Sequence, residues 1–352
     1  MSLNRIRLLD FRNYTRAELD SIPRVCVLSG ANGSGKTNFL EAVHILARLE
    51  PVRPVPLSEL VRWGATAFHV DGELGGEKME VGFSSQKKVV KRGGESVTIG
   101  EYKSLYPVIG FLPDDILVVN GSPEERRAYL DRALSSMDPE YAAALSRYNR
   151  TLRQRNAQLR VRPREASIWD AELAKNGSIL IVRRIAFAQF LARELSERYR
   201  ELYGEGVEVR YLNTFRIERS VEESFRVALE KGRVLEAEKR YTLAGPHRDN
   251  LEVLSGANGK GTRSFASQGQ RRVLSLFLQL CVAIAARKAG GISPILLLDD
   301  VLLEVDEARR KRFLAMLPAD SQIFATVLDP SALCGAFSDA RVLRVEGGKM
   351  EG

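Results

Sequence analysis

The sequence feature that most constrains this chain is a glycine-rich octapeptide matching G-x-x-x-x-G-K-[ST]: Gly30, Ala31, Asn32, Gly33, Ser34, Gly35, Lys36 and Thr37. A strand-like apolar run precedes it at 25–28, and a helix-like segment follows at 38–43. In this context glycines let backbone N–H groups surround phosphate oxygens, and the helix N-terminus adds partial positive charge. We predict a nucleotide cradle, in which Lys36 reaches the β- and γ-phosphates and Thr37 ligates Mg²⁺. An ordinary glycine turn is the alternative, which the context disfavours.

A second candidate element for this site lies near the other end of the chain. Residues 294–298 form an apolar run that ends in two carboxylates, Asp299 and Asp300. An all-apolar strand suits the centre of a parallel sheet, and ligands bind at the carboxyl ends of such strands. We predict that Asp299 holds Mg²⁺, directly or through water, and that Asp300 orients or deprotonates the attacking water, with Lys36 as the second catalytic group. The alternative is a buried strand followed by a helix-capping aspartate.

The long separation between these two elements predicts the domain organisation. Both ends of the chain must combine into one ATPase head, for which we assign residues 1–136 and 205–352. Short strand patterns with glycine turns between 68 and 91 indicate an antiparallel subdomain in this head. Helical patterns from Asp138 to about 160, and from Ser167 to near Gly204, indicate an inserted helical arm at 137–204.

The excess positive charge is concentrated in the predicted arm. The chain has a net charge of +8, and residues 147–200 alone contain 13 basic and 5 acidic residues. A surface that binds a polyanion is favoured, because solvated helix faces usually mix both signs; such a solvated face remains the alternative. The candidate contacts to such a polyanion, for example to the phosphates of DNA, are Arg147, Arg150, Arg153, Arg155 and Arg160.

Composition indicates a cytoplasmic protein. No run of about 18 apolar residues stands out, and the N-terminus lacks the apolar region of a signal peptide. The three cysteines, Cys26, Cys281 and Cys334, are far apart in apolar contexts, which is typical of reduced and mostly buried thiols. We therefore expect no membrane partner.

One further segment points to anion binding. Ser267 and Gly269 stand just before a helical pattern, where a hydroxyl and backbone N–H groups are available to an anion. A simple helix cap is the alternative. The run at 255–262 looks like a second cradle, but its lysine precedes the last glycine, so we predict a hairpin turn at Asn258 and Gly259.

Together these motifs resemble ABC-type ATPases, and the finer match is to the RecF family of bacterial recombination mediators. In ABC-type ATPases a signature segment like Ser267–Gln270 covers the phosphate bound by the other subunit, and a D-loop like 304–306 follows the aspartates. The segments that resemble the RecF family occur in family order and cover nearly the whole chain: 9–14, 111–116, 121–131, 148–156, 245–249 and 297–300. Departures are Leu303 in place of the D-loop serine, Asn250 in place of an aspartate, and Thr326, whose role is open, near the position of the transporter switch histidine.

The resemblance implies an α/β ABC-type head with ATP and Mg²⁺ as cofactors. It further implies a homodimer that closes on two ATP molecules, with Ser267, Gly269, Gln270 and Asp306 acting across the interface. Closure would bring the arms onto duplex DNA or a single/double-strand junction, and slow hydrolysis would reopen the dimer. The expected partner proteins are RecR and RecO, and the expected role is to help load recombinase at single-strand gaps during DNA repair.

Other functional classes fit the sequence less well. A chromosome-organising or nuclease-associated ATPase shares the head but needs a coiled coil far longer than 137–204. A transporter ATPase would have no use for an arginine-rich arm and would need a membrane partner. A small-molecule kinase would lack the segment around Ser267.

Overall fold

The structure is a computed structural model that describes residues 2–52, 55–84, 87–103, 107–255, 260–261, 267–302, 305–333, 337 and 339–352. The chain folds into two compact units. The first unit is Met1–Asp115 with Val282–Gly352, and the second is Ile116–Cys281. The predicted arm, 137–204, lies inside the second unit, which also includes the segments on both sides of it. A separate domain limited to 137–204 stays a prediction.

Strands and helices are numbered here in chain order. The strands are β1 Leu3–Phe11, β2 Tyr14–Asp20, β3 Val25–Ser29, β4 Ala67–Leu74, β5 Glu77–Ser84, β6 Lys87–Arg92, β7 Glu95–Ser96, β8 Val108–Phe111, β9 Val207–Leu212, β10 Asn250–Ser255, β11 Lys260–Gly261, β12 Ile295–Asp299, β13 Ile323–Val327, β14 Arg341–Glu346 and β15 Lys349–Glu351. The α-helices are α1 Lys36–Arg48, α2 Ile99–Lys103, α3 Leu117–Asn120, α4 Pro123–Met137, α5 Pro139–Val161, α6 Asp170–Tyr203, α7 Val221–Lys239, α8 Gln268–Gly290 and α9 Glu307–Ala315. Short 3-10 helices cover Leu57–Leu60, Pro113–Ile116, Pro163–Trp169 and Pro330–Ala332.

The first unit contains two six-stranded sheets with α1 between them. One sheet has the order β15-β14-β3-β13-β12-β8 and is parallel except for β15, and the other is antiparallel with the order β2-β1-β4-β5-β6-β7. Apolar side chains of α1 and of both sheets form one continuous core. The strands β3, β12 and β13 are buried along their whole length, which explains their uniformly apolar sequences.

The second unit is mainly helical and carries a three-stranded sheet, β11-β10-β9. Asp138 begins α5 by accepting a hydrogen bond from the Tyr141 amide at 3.0 Å, and Pro139 occupies its first turn. The helix α6 has 34 residues, about 51 Å at 1.5 Å per residue, and ends at Gly204 in the left-handed conformation. These helices follow the sequence prediction, except that a 3-10 turn occupies Pro163–Trp169 and α6 begins at Asp170.

Although no run of about 18 apolar residues stands out in the sequence, helix α8 qualifies by length and composition as a candidate membrane span. Its most apolar 18-residue window has a mean hydropathy of 1.5, and 67% of that window is buried inside the protein. A mostly buried helix reaches this hydropathy by contributing to a core. One such helix is weak evidence for a membrane span.

Several predicted features lie outside the described residues. These are the turn at Asn258 and Gly259, the third cysteine, Cys334, and the D-loop residues Leu303 and Glu304. The other two cysteines, Cys26 and Cys281, are buried. Burial raises the pKa of Cys26 to about 12, so this thiol stays protonated at neutral pH.

Arg155 corrects the predicted set of DNA contacts, because it is buried in the second unit. Its side chain is 1% exposed, and its Nε donates to Asp170 Oδ1 at 2.9 Å. Its Nη2 pairs with Glu236 Oε2 at 2.8 Å, and its Nη1 donates to Thr242 Oγ1 at 2.9 Å. A guanidinium enclosed by two carboxylates and a hydroxyl cannot reach a DNA phosphate. It instead ties α5 to α6, α7 and the segment at 242.

The helical repeat explains this difference among neighbouring arginines. Arg155 falls on the stripe of α5 that also buries Tyr148, Thr151 and Leu159. At 100° per residue, Arg153 points about 160° away from Arg155, toward solvent. The spacing to Tyr148 and Leu159 was the sequence signal that separated Arg155 from the exposed arginines.

We predict that Arg155→Ala lowers the free energy of unfolding by about 3–5 kcal/mol, because it leaves buried carboxylates without their main cation. Arg153→Ala, on the exposed side of the same helix, should change it by less than about 0.5 kcal/mol. Urea-induced unfolding followed by circular dichroism measures both. Equal effects of the two substitutions would contradict a structural role for Arg155.

Candidate nucleotide-binding site

The parallel sheet of the first unit brings the two predicted halves of the site together. Strand β13 lies between β3, which leads into the cradle, and β12, which ends in the aspartates. In this register Thr326 pairs with Leu28 on one side and with Asp299 on the other. The carboxyl ends of the three strands therefore meet at one edge, as expected for a ligand site in a parallel sheet.

A chain of short hydrogen bonds connects the cradle with the aspartates. Thr37 Oγ1 donates to Asp299 Oδ1 at 2.8 Å, although the two residues are 262 positions apart. Thr326 Oγ1 donates to the same carboxylate oxygen at 3.0 Å and accepts a hydrogen bond from the Asp300 amide at 2.8 Å. Asp299 is 3% exposed, so its carboxylate is held almost entirely by protein groups.

Asp300 stands immediately beyond the strand in an unusual conformation. Its φ is 51°, in the left-handed region, which Asp tolerates better than most side chains. Its Oδ1 is buried and accepts no hydrogen bond from the described part of the chain. An unsatisfied buried carboxylate oxygen is costly in a fold, and such groups recur at functional sites. Asp300 thus offers an acceptor next to Asp299.

The cradle itself has the geometry of an anion site. Lys36 is 4% exposed and donates to the carbonyls of Gly30 at 2.7 Å and Ala31 at 3.1 Å. Its ammonium is therefore held over the loop by neutral acceptors that a phosphate oxygen can replace. Ser34 Oγ is buried and has no hydrogen-bond partner among the described residues. Ala31, Asn32, Gly33 and Thr37 are exposed at the open side of the loop.

Three groups from distant segments hold the cradle from behind. Asn13 Nδ2 and the Gly348 amide each donate to the Ser34 carbonyl at 3.0 Å. The hydroxyl of Tyr14 donates to the Gly35 carbonyl at 3.0 Å, and burial raises the pKa of this hydroxyl well above its ordinary value, so it remains a donor. No local sequence pattern predicts that these three residues support the loop. Asn13 and Tyr14 belong to the segment 9–14 that resembles the RecF family.

This support explains why a glycine is required at position 35. Gly35 has a φ of 120°, and a Cβ there would lie 2.7 Å from Asn13 Nδ2 and 3.1 Å from the Tyr14 hydroxyl. Gly33 also has a positive φ, 78°, but nothing lies within 4 Å of its Cβ position. The two glycines therefore differ: Gly33 needs only conformational freedom, whereas Gly35 also needs the space.

The oxygen atoms at the edge of the cradle fit Mg²⁺. Thr37 Oγ1 and Asp299 Oδ1 are 2.8 Å apart, close to the edge of about 2.9 Å that an octahedron with metal–oxygen distances of about 2.05 Å would have. Hydroxyl and carboxylate oxygens are the hard donors that this ion prefers. A pocket of about 220 Å³ opens beside them and is lined also by Arg12, Asn38, Leu40 and Leu297.

The predicted signature segment lies in the second unit, at the start of α8. Ser267 and Gly269 are exposed, and Gln270 is half-buried. Ser267 Oγ accepts a hydrogen bond from the Gln270 amide at 3.2 Å, and the Ser267 amide donates to Gln270 Oε1 at 2.8 Å. This reciprocal pair of hydrogen bonds caps the helix, so the segment does have the capping role that was the alternative to anion binding. The cap uses one lone pair of Ser267 Oγ, and no atom of the described residues lies within 4 Å of the Cβ position of Gly269.

Asp306, the predicted D-loop residue, caps α9. Its side chain accepts hydrogen bonds from the Arg309 amide at 3.1 Å and from Arg309 Nη1 at 2.6 Å. The bond from the backbone amide is the main cause that holds the pKa of Asp306 below its ordinary value. The carboxylate is half exposed and remains charged at neutral pH.

Four of the five predicted DNA-contact arginines lie on the exposed side of α5: Arg147, Arg150, Arg153 and Arg160. Arg147 donates from Nε to Asn176 Oδ1 at 2.8 Å. Within the described ranges, the other three make no ion pair with a carboxylate. We call Arg150, Arg153 and Arg160 the arginine stripe; their directions fall within about 80° around the helix axis.

Comparison with known proteins supports one family over the whole chain. The family model of the RecF/RecN/SMC N-terminal domain matches residues 2–351. The DNA replication and repair protein RecF of Moorella thermoacetica is 35% identical over 343 residues, which is 95% of this chain and 91% of the relative. That of Geotalea daltonii is 33% identical over 365 residues, covering 99% of this chain and all of the relative.

A solved structure of the recombination mediator protein RecF with ATP, in the RecFOR pathway, has the same fold. It matches with a TM-score of 0.88 at 30% identity, covering 99% of this chain and 96% of that chain. The predicted fold class, an α/β ABC-type head with an antiparallel subdomain and an inserted helical part, is thus confirmed. Since the family model and the relatives both extend over nearly the whole sequence, this chain belongs to the RecF family.

Proposed function

We propose that the protein is an ATP-dependent DNA-binding protein of DNA replication and recombinational repair. It binds ATP and Mg²⁺, dimerises on duplex or gapped DNA in the cytoplasm, and hydrolyses ATP slowly to release the DNA. The observation that carries this proposal is the hydrogen bond between Thr37 and Asp299, which unites the cradle with the acidic strand. The relatives named above are DNA replication and repair proteins, which supports the same role here.

The residues of the first unit supply one half of the ATPase site that we propose. Lys36 and the cradle amides bind the β- and γ-phosphates, while Thr37 and Asp299 hold Mg²⁺. When bound, the metal ion neutralises charge on the phosphate oxygens. Asp300 orients the attacking water and accepts its proton, because its Oδ1 is buried beside Asp299 and accepts no hydrogen bond from the described residues.

A second copy of the chain completes the site in this proposal. Ser267, Gly269 and Gln270 lie at the N-terminus of the long helix α8, where backbone N–H groups and the helix dipole favour a phosphate. The exposure of Ser267 and the open space at Gly269 leave room for one. We infer that this segment and Asp306 contact the ATP held by the partner's cradle, so that ATP binding drives dimerisation.

The arginine stripe supports the proposed binding to DNA. Exposed guanidinium groups on one side of a helix suit phosphate contacts, which give affinity without base specificity. Tyr148, the aromatic residue of α5 closest in sequence to the stripe, is 1% exposed and offers no surface for base stacking, which favours duplex or junction DNA over single strands. RecR and RecO are the proposed partner proteins, in line with the RecFOR pathway of the matched structures.

A chromosome-organising ATPase is the alternative within the same superfamily. It would need a coiled coil of hundreds of residues, whereas α5 and α6 have 23 and 34 residues. The helical part of this chain is therefore too short to serve as such an arm.

The cradle geometry predicts unequal effects of two glycine substitutions on ATP binding. Gly35→Ala should weaken binding by about 100-fold or more, since the new methyl group displaces Asn13 and Tyr14 and moves the loop. Gly33→Ala adds only conformational strain of about 1–2 kcal/mol, or about 10-fold in affinity. Titration with a fluorescent ATP analogue measures both. A larger loss for Gly33→Ala would contradict the proposed cradle.

A substitution in the signature segment should separate dimerisation from ATP binding. Ser267→Arg places a bulky cation at the proposed interface, so it should leave the affinity for ATP unchanged but abolish ATP-dependent dimerisation and hydrolysis. Lys36→Ala is the control, because it should abolish ATP binding and dimerisation together. Light scattering with a non-hydrolysable ATP analogue reports the mass. Loss of ATP binding in Ser267→Arg would count against a role across the interface.

Neutralising the arginine stripe should weaken DNA binding and flatten its salt dependence. Replacing Arg150, Arg153 and Arg160 by Gln removes about three phosphate contacts, so the slope of log K against log salt should fall by about 3. Replacing the exposed Arg216, Arg219 and Arg226 by Gln removes the same charge elsewhere in the second unit and should change the slope by less than about 1. Gel shifts on gapped DNA with an ATP analogue test this, and equal slopes would contradict the stripe.

A further inference from the structure

We propose that Thr326 is a positioning residue that sets both aspartates for hydrolysis; this inference rests on the ATPase function proposed above. One hydroxyl contacts both acidic residues of the site. It donates to Asp299 Oδ1 at 3.0 Å and accepts from the Asp300 amide at 2.8 Å. The sequence alone leaves the role of Thr326 open. The residue stands near the position of a switch histidine in transporters.

The direction of these two hydrogen bonds is fixed by chemistry. A backbone amide can only donate, so the Asp300 N–H occupies a lone pair of Thr326 Oγ1. The hydroxyl has a single proton, which then points to the carboxylate of Asp299. Thr326 is 3% exposed and β-branched, so its side chain has little freedom to choose another arrangement. The hydroxyl therefore fixes the distance between the Asp299 carboxylate and the backbone of Asp300.

For Asp300, this contact matters because the carboxylate has few other restraints. The residue has a φ of 51°, a conformation that persists only where the surroundings impose it. Its Oδ1 accepts no hydrogen bond from the described residues, so the backbone determines where that oxygen points. The hydrogen bond from the Asp300 amide to Thr326 Oγ1 restrains this backbone directly. Without it, the acceptor for the proton of the attacking water would lose its fixed position.

For Asp299, Thr326 supplies a donor that remains when the metal ion binds. Asp299 Oδ1 accepts from Thr37 at 2.8 Å and from Thr326 at 3.0 Å. Thr37 is itself a proposed ligand of Mg²⁺, so its hydroxyl is shared with the ion. Thr326 has no such second task and keeps the carboxylate oriented, which is how outer groups tune a metal site.

The fold alone does not call for a hydroxyl at this position. Strand β13 has the sequence Ile-Phe-Ala-Thr-Val and is buried along its whole length, so Thr326 is its one polar residue. Valine has nearly the same shape and suits a buried parallel strand at least as well. A buried hydroxyl is costly unless it is hydrogen-bonded, and both of its partners here are site residues.

The substitution Thr326→Val tests the inference, since it removes the hydroxyl and preserves the shape. We expect kcat for ATP hydrolysis to fall by about 10- to 100-fold while KM changes by less than about 2-fold. The Mg²⁺ concentration that half-saturates binding of a fluorescent ATP analogue should rise by about 10-fold. Thr326→Ser should restore both values, because serine keeps the donor and the acceptor.

Thr242→Val is the matched control in the second unit. Thr242 is also fully buried, and its hydroxyl donates to Asn156 Oδ1 at 2.7 Å and accepts from Arg155 Nη1 at 2.9 Å. It should lower stability as much as Thr326→Val without changing kcat or the Mg²⁺ requirement. If Thr242→Val and Thr326→Val lowered kcat equally, the loss would reflect general destabilisation of the fold, and the proposal would be overturned.

Hydrogen exchange of the Asp300 amide, measured without nucleotide, gives a readout independent of activity. Exchange should be faster in Thr326→Val than in the wild type and in Thr326→Ser. If the wild type hydrolyses ATP and Thr326→Val matches it in kcat and Mg²⁺ requirement, the positioning role is wrong while the proposed function stands. If the wild type does not hydrolyse ATP, the proposed function fails, and unchanged Asp300 exchange in Thr326→Val would then overturn the positioning role as well.

Discussion

The carboxylate of Asp299 is the point on which the nucleotide site depends. It accepts hydroxyl donors from Thr37, on the helix that follows the cradle, and from Thr326, on the strand between β3 and β12. These three residues come from the first and the last parts of the sequence. They meet because a parallel sheet aligns the carboxyl ends of its strands. In this sheet β13 is the one strand that lies between β3 and β12. Any shift in the register of β13 would separate the cradle from its acidic partner.

Segments of both sheets of the first unit hold the cradle in place. The carbonyls of Ser34 and Gly35 accept hydrogen bonds from Asn13, in the turn before β2, from Tyr14, at the start of β2, and from Gly348, in the terminal hairpin β14–β15. The carbonyl groups of Ser34 and Gly35 are thus satisfied by protein donors on the side of the loop away from the open edge. A loop held in this way needs little reorganisation when phosphate binds, which is the physical basis of a preorganised site.

In the second unit, the two sides of helix α5 place arginine side chains in different environments. The buried side of α5 contains Arg155, enclosed by Asp170, Glu236 and Thr242, and this network connects three helices. The exposed side presents the arginine stripe. Arg153 and Arg155, only two positions apart, therefore differ fully in exposure, and the buried network holds the helix that carries the arginine stripe. Charge density along the sequence alone could not make this distinction.

The sequence by itself determined the cradle, the acidic strand, the start of α5, the end of α6 and the family. Local patterns suffice for these because each depends on residues close together in the chain: glycine spacing, an apolar run, the cap at Asp138 and the stop at Gly204. Only the tertiary structure showed that Asp170, Glu236 and Thr242 enclose Arg155, that Asn13, Tyr14 and Gly348 support the loop, and that Thr326 joins the two aspartates. Each of these facts depends on contacts between segments far apart in sequence, which strand order and helix packing create and no local pattern encodes.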